Sequence, residues 1–166
     1  MLYGRDIVKF ANNGKVLKRH FGGIASRDTL KSLHYENNKP FPRLYVCNTD
    51  KASQPGSHWF VVIVLRHGHV EIFDSFGLNP ALYWSEIRSF VKQHGHIKYM
   101  RNKHRLQGLF ATTCGMYCLY YMYHRVRDCD MACIMSHYTS NHSRNDRYVS
   151  AWYHRWAFDK SISPLS

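Results

Sequence analysis

From Thr113 to about Val126 almost every residue is apolar or aromatic, with Met116, Tyr117, Cys118, Leu119, Tyr120, Tyr121 and Met122 in unbroken succession. A helix that is apolar on every side has no face to give to water and belongs in a core. The run is too short to cross a bilayer, which takes about 20 residues. No other stretch reaches even roughly 18 uncharged apolar residues, so no membrane partner is expected. Other elements must therefore enclose this segment. Thr112 or Thr113 can act as its N-cap, which places Cys114 in the first helical turn.

The elements available to enclose it can be read from periodicity. His58 to Leu65 is a continuous β-branched and aromatic run, as in a strand buried on both faces. After the turn at Arg66-His67-Gly68-His69, residues His69 to Asp74 form its antiparallel partner. Arg43 to Asn48 and Ile97 to Arg101 are further strands. Asp6 to Phe10 opens a first helix, and Asp28-Thr29 caps a second running through Leu33. Gly22-Gly23 between them reads as a loop, and Pro40 and Pro42 exclude helix from the residues before them. Leu82, Ile87, Phe90 and Val91 recur at helical spacing up to a stop at Gly95. A last helix near Arg147 to Trp156 carries Tyr148, Trp152 and Trp156 on one face. The class is α+β. With 166 residues and neither repeat nor linker, residues 1–166 form one domain.

Lys and Arg number 23 against 11 Asp and Glu, a formal net charge of +12. Such a surplus attracts polyanions, because each neutralised phosphate releases condensed counterion. No reader motif is present, so DNA contact is expected to be non-specific, centred on Lys98, Arg101, Lys103 and Arg105, with a second patch at Arg144 and Arg147. The opening Met1-Leu2-Tyr3-Gly4-Arg5-Asp6 lacks an apolar signal core, so secretion is not expected. The five cysteines are accordingly read as free thiols.

Against this background one ordered set of residues carries chemistry. A thiol needs help to become the thiolate nucleophile, and a helix N-terminus and a neighbouring imidazolium both supply it. Cys114 occupies the first; His58, at the head of its strand, is the candidate base. Asp74 ends the antiparallel partner strand, so it lies at the same end of the sheet and can orient the ring. Gln107, on a loop containing Gly108, offers a side-chain amide to an oxyanion. Trp59 can wall the cleft, and Gly115 leaves space for a substrate backbone.

Each residue alone has a plainer use: Cys114 as a core thiol, Asp74 as a turn residue, Gln107 as a solvated amide. The joint order favours catalysis. Cys114, Cys118, Cys129 and Cys133 also form two C-x3-C pairs, an interval seen at zinc sites. The first pair lies inside the apolar helix and no Gly- or Asp-rich knuckle surrounds either, so no metal is assigned and Cys118, Cys129 and Cys133 are read as core thiols.

Gly56-Ser57-His58-Trp59, Phe73-Asp74-Ser75-Phe76-Gly77 and Gln107-x6-Cys114-Gly115 resemble the adenovirus protease family (adenain) and its relatives in Maverick or polinton DNA transposons. More distantly they resemble the SUMO-specific cysteine proteases. Val46-Cys47-Asn48-Thr49-Asp50 and Gly4-Arg5-Asp6-Ile7 fit the same pattern, so the similarity covers roughly residues 4 to 125. The resemblance implies a papain-like, circularly permuted fold whose mixed or antiparallel sheet packs on a buried nucleophile-bearing helix. It implies His58 as base, Asp74 as third member, Gln107 as oxyanion donor and Cys114 as nucleophile. Adenain has Glu where this chain has Asp74; Asp is usual in the SUMO-protease branch. No cofactor is implied for the chemistry. The implied substrates are glycine-containing sites in viral capsid and core precursors, processed in the host nucleus and the virion. Activation by DNA and by a short viral peptide is also implied. That peptide is disulfide-linked in adenain to a cysteine before the glutamine, and Val91 to Arg105 contains none. Two alternatives stay open: an isopeptidase acting on SUMO or ubiquitin-like modifiers, and a non-catalytic DNA-binding or virion structural protein.

Overall fold

In the computed structural model, which describes residues 1–158, five strands form one mixed sheet. They are β1 (Phe21–Ser26), β2 (Arg43–Asn48), β3 (Trp59–Arg66), β4 (His69–Phe73) and β5 (Lys98–Arg101), in that spatial order. The central pairings β2–β3 and β3–β4 are antiparallel, and the outer pairings β1–β2 and β4–β5 are parallel. Side chains alternate across the sheet. Leu44, Val46, Val61, Ile63 and Phe73 enter one core, while Tyr45, Cys47, Phe60, Val62, Val64, Val70 and Ile72 enter the other. The unbroken apolar sequence of β3 thus serves two cores at once.

The first core holds α6 (Cys114–Arg125), on which every residue from Cys114 to Met122 is buried. It is enclosed by β3, by α1 (Gly4–Asn13) and by α8 (His142–Phe158). Tyr121 stacks flat on Phe73, ring centroids 4.2 Å apart, and its hydroxyl donates to buried Glu71 at 2.5 Å. Arg125 donates to the same carboxylate oxygen at 3.0 Å, so this buried charge has its partners. From α8, Trp152 and Trp156 close around Phe10 of α1, with ring centroids 5.5 and 5.9 Å away. Tyr148 of the same predicted stripe is partly exposed, but its hydroxyl meets that of Tyr120 at 2.8 Å. The second core packs under α3 (Leu30–Glu36) and α5 (Ser85–His94).

Several local expectations are corrected. Gly22-Gly23 lies in strand β1, not a loop. Parallel pairing with β2 outweighs the low strand propensity of glycine, and Gly23, at φ 126°, absorbs the register shift. A Cβ on Gly22 would collide with the Tyr45 ring. A short helix α2 (Lys15–His20) precedes β1 and was not anticipated. Thr29, not Asp28, is the N-cap residue of α3; the Asp28 carboxylate accepts from the Ala52 N–H instead.

The helix expected from Leu82 to Val91 is two, α4 (Pro80–Tyr83) and α5, separated by extended Trp84. Arg88 reaches back to the Ala81 and Leu82 carbonyls at 3.0 and 2.6 Å, satisfying the end of α4 and leaving Leu82 exposed. Cys129 and Cys133 are not core thiols: they are joined by a disulfide across the start of a further short helix, α7 (Met131–Met135). The turn at Asp128, at φ 63°, brings Cys129 back against that helix. Cys47, Cys114 and Cys118 are free and buried. Among the described residues no helix is long and apolar enough to cross a membrane.

The stacked Phe73 couples the sheet to the helix that carries Cys114. Phe73→Ala is expected to lower unfolding stability by about 3–5 kcal/mol, as for other buried aromatic truncations. Urea denaturation should show a lower midpoint at unchanged slope; a loss below about 1 kcal/mol would mean that the interface repacks freely.

Candidate active site

His58 precedes β3 and is held by its backbone, whose carbonyl accepts from Thr49 N–H at 3.0 Å in continuation of the β2–β3 ladder. The loop leading to it is organised by Asn48, whose Oδ1 accepts from the Asp50 and Ser57 backbone N–H groups at 2.9 and 3.2 Å. Gly56 closes the loop at φ 88°, and a Cβ there would stand 2.9 Å from Asn48 Nδ2. The Asn48-Thr49-Asp50 block therefore shapes the approach to the histidine. His58 Nε2 meets Asp74 Oδ2 at 3.2 Å, which leaves Nδ1 for the thiol. Phe76 packs on the ring at 4.9 Å between centroids.

Asp74, directly after β4, is fully buried and fixed through both backbone and side chain. Its N–H donates to Asn102 Oδ1 at 2.9 Å and its carbonyl accepts from Asn102 Nδ2 at 2.7 Å. The second carboxylate oxygen accepts from Phe76 N–H at 2.7 Å, closing an Asx turn. Gly77 then turns at φ 69° so close to His104 that a Cβ would come within 2.7 Å of its carbonyl carbon. Asn102, which carries no recognisable motif, is thus the residue that positions the acid.

Cys114 opens α6 behind Thr113, as anticipated, although Thr113 makes no side-chain cap. Its hydroxyl donates instead to Asp146 Oδ1 of α8 at 2.8 Å. Burial disfavours the charged forms of both reacting groups, yet each stabilises the other's. The His58 ring is raised to about 9 because its bonds to Asp74 and then to Cys114 outweigh desolvation. The Cys114 thiol is lowered: burial opposes ionisation, but His58 and the backbone N–H groups of Trp59 and Gly115 overcome it. The arrangement favours a thiolate–imidazolium pair near neutral pH. Cys118, one turn on, is pushed well above the ordinary thiol range by burial, as is Cys47, and neither competes as a nucleophile.

Gln107 is buried, and both ends of its amide are held. Ser75 Oγ donates to its Oε1 at 2.6 Å, and its Nε2 donates to the Ala111 carbonyl at 2.6 Å. Because a carbonyl can only accept, that contact settles which end of the amide is nitrogen. The Gln107–Thr113 loop is tied down from α8, where Asp146 Oδ2 accepts from Gly108 N–H at 2.9 Å and Asn145 Nδ2 donates to the Leu106 carbonyl at 3.2 Å. Ser75, Asn145 and Asp146 were not singled out from the sequence. Their roles depend on which elements meet, which no local sequence pattern states.

Beside Cys114 opens a cavity of about 370 Å³, walled in part by Trp59, Gly56 and residues Met1 to Gly4. Trp59 is a cleft wall, its indole N–H donating to the Leu2 carbonyl at 3.2 Å. Gly115 does not face open space: a Cβ there would stand 3.0 Å from Leu2 Cβ, so the room goes to the chain's own first residues. Of the basic set, Lys98, Lys103 and Arg105 are exposed. Arg101 is half-buried and donates to the Gly77 and Asn102 carbonyls at 3.5 and 3.2 Å, bracing the turn after Asp74.

Two outcomes follow for the ion pair. Alkylation of Cys114 by iodoacetamide should stay fast well below the ordinary thiol pKa of about 8.5, and His58→Ala should restore the tenfold loss per pH unit of a normal thiol. Turnover should fall as pH rises through about 9, where His58 loses its proton, while alkylation does not. Identical alkylation profiles in both proteins would remove His58 from the pair.

No family model and no curated protein matches the sequence. Solved structures do match the fold. A protease of ASFV superimposes with TM-score 0.58 at 19% identity, over 88% of this chain. This chain spans 64% of that protein's length. The central domain of an uncharacterized protein from Legionella pneumophila gives 0.56 at 12% identity, over 93% of this chain and 97% of that one. The Chlamydia trachomatis effector protein Cdu1, solved bound to ubiquitin, gives 0.54 at 16% identity, over 98% and 81%. At these identities the likeness is one of architecture, and the fold is the papain-like fold of cysteine proteases and deubiquitinases, with its mixed sheet on a buried nucleophile-bearing helix.

Proposed function

We propose that the protein is a cysteine endopeptidase of a virus or virus-like element, cleaving glycine-containing sites in capsid and core precursors during virion maturation. The observation that carries this is the Cys114–His58–Asp74 arrangement, with the thiol lowered and the imidazole raised by one another at the mouth of a cleft. Cys114 Sγ attacks the scissile carbonyl carbon. The oxyanion that forms takes a backbone N–H at the start of α6, which has no intrahelical acceptor, and the second N–H of Gln107. His58 delivers its proton to the leaving amine, then takes one from water as the thioester is hydrolysed. A preference for glycine is supported by Trp59 and Leu2, which hydrogen-bond to each other and wall the cavity beside Cys114, a narrowing that favours substrate residues without a side chain.

Cys114→Ala should abolish peptide cleavage in a folded protein, and Gln107→Ala should cost on the order of 10²-fold, since a backbone donor remains. Turnover by folded Cys114→Ala within tenfold of wild type would overturn the assignment.

An isopeptidase on ubiquitin-like modifiers is the second reading, favoured by Leu109 and Phe110. These stand 64% and 98% exposed on the loop between Gln107 and Cys114, where a folded modifier can contact them. Parallel assays of glycine-containing precursor peptides and of ubiquitin or SUMO conjugates separate the two. Loss of conjugate cleavage in Phe110→Ser with short-peptide cleavage intact would select the isopeptidase.

The charge of +12 supports non-specific DNA as a partner in the nucleus and virion. An activating viral peptide is proposed only as a non-covalent partner. Reversal of Lys98, Lys103 and Arg105, sparing the structural Arg101, should flatten the log–log salt dependence of DNA affinity and leave DNA-free peptide hydrolysis nearly unchanged. An unaltered slope would move the contact to Arg144 and Arg147.

A further inference from the structure

At the far end of α6 from Cys114, roughly 17 Å along its axis, two sulfurs and an imidazole converge. Cys129 follows the turn at Asp128, Cys133 lies in α7, and His137 comes one helical turn later. Their Sγ and ring nitrogen atoms all lie within 4.8 Å of one another. Cys133 and His137 stand one turn apart, and the turn at Asp128 brings Cys129, which precedes the helix, back to them. We propose that, once its disulfide is reduced, this cluster is a structural binding site for a thiophilic divalent cation of the zinc class.

Three features beyond proximity suit it to that role. The set of two thiolates and one imidazole is a donor combination zinc takes in tetrahedral sites. With three protein ligands, the fourth position is left to water. The outer shell is also in place. His137 Nδ1 lies 2.8 Å from Tyr120 OH, which lies 2.8 Å from Tyr148 OH, so an Nδ1–H donated into this chain leaves Nε2 to ligate. Asp130 accepts from Cys133 N–H at 2.8 Å and fixes the first turn of α7. Cys133 is exposed and Cys129 half-buried, which gives a metal a path of entry.

The chemistry balances. A thiol or phosphine reductant supplies two electrons, the Cys129–Cys133 bond breaks, and each sulfur takes a proton. The cation then displaces those two protons, and two thiolates neutralise its charge while the imidazole ligates uncharged. Since α6 ends here and α8 is reached through Tyr148, an occupied site fastens the helix that carries the nucleophile.

The test uses the full chain carrying Cys114→Ala, so that the catalytic thiol cannot bind metal, kept under a phosphine reductant. Titration with Co2+ should give a sulfur-to-cobalt charge-transfer band that saturates at one equivalent and is displaced by Zn2+. Zn2+ should also raise the melting temperature, because it binds the folded state. Cys133→Ser, at an exposed position, and His137→Ala should each remove the band while the far-ultraviolet circular dichroism is retained. Absence of the band in the reduced parent, or its persistence in Cys133→Ser, would overturn the proposal.

Discussion

The burial of α6 on every side is the constraint from which the rest follows. A helix apolar all round forces one face of the sheet, α1 and α8 to close over it, and that closure brings together parts of the chain far apart in sequence. Trp152 and Trp156 reach Phe10, Asp146 reaches Gly108 and Thr113, and Glu71 takes the Tyr121 hydroxyl. Packing along the body of the helix thereby fixes where its first residue stands, and Cys114 inherits its position from the core.

The site adds an electrostatic requirement to that packing. Taking a thiolate and an imidazolium out of water costs more than either recovers alone, so the pair holds only because each is the other's counterion and Asp74 anchors the ring. Asp74 can do this because nothing about it is free to move: Asn102 holds its backbone, Phe76 N–H holds one oxygen, and Gly77 allows the turn beneath. Gln107 is held in the same manner by Ser75 and Ala111. Under the proposed function, a substrate would meet donors and a base already oriented.

The central hairpin and the nucleophile helix could be read from the sequence because each has a strong hydrophobic signal that tertiary context reinforces. The His58 to Leu65 run and the Thr113 to Val126 run are of this kind. Strand β1 was hidden because glycine weakens a strand signal and only its partner β2 makes one. The break at Trp84 was hidden because its stabilising contact is the Arg88 side chain reaching back over it. The candidate site residues announced themselves through their flanks. Asn102, Ser75, Asn145 and Asp146 did not, since an amide or carboxylate earns a role only when folding sets it beside one. Gly115 was read as leaving space for a substrate backbone, but Leu2 takes that space.

Under the proposed function, Cys114 is the thiol that attacks a glycine-terminated acyl group. A peptide ending in two glycines and carrying an electrophilic warhead in place of the scissile carbonyl tests this directly. After incubation near neutral pH, intact-mass and peptide mapping should show one adduct, on Cys114, formed at a rate that collapses in His58→Ala. No adduct, or one spread over Cys47, Cys118 and Cys114 alike, would contradict the assignment.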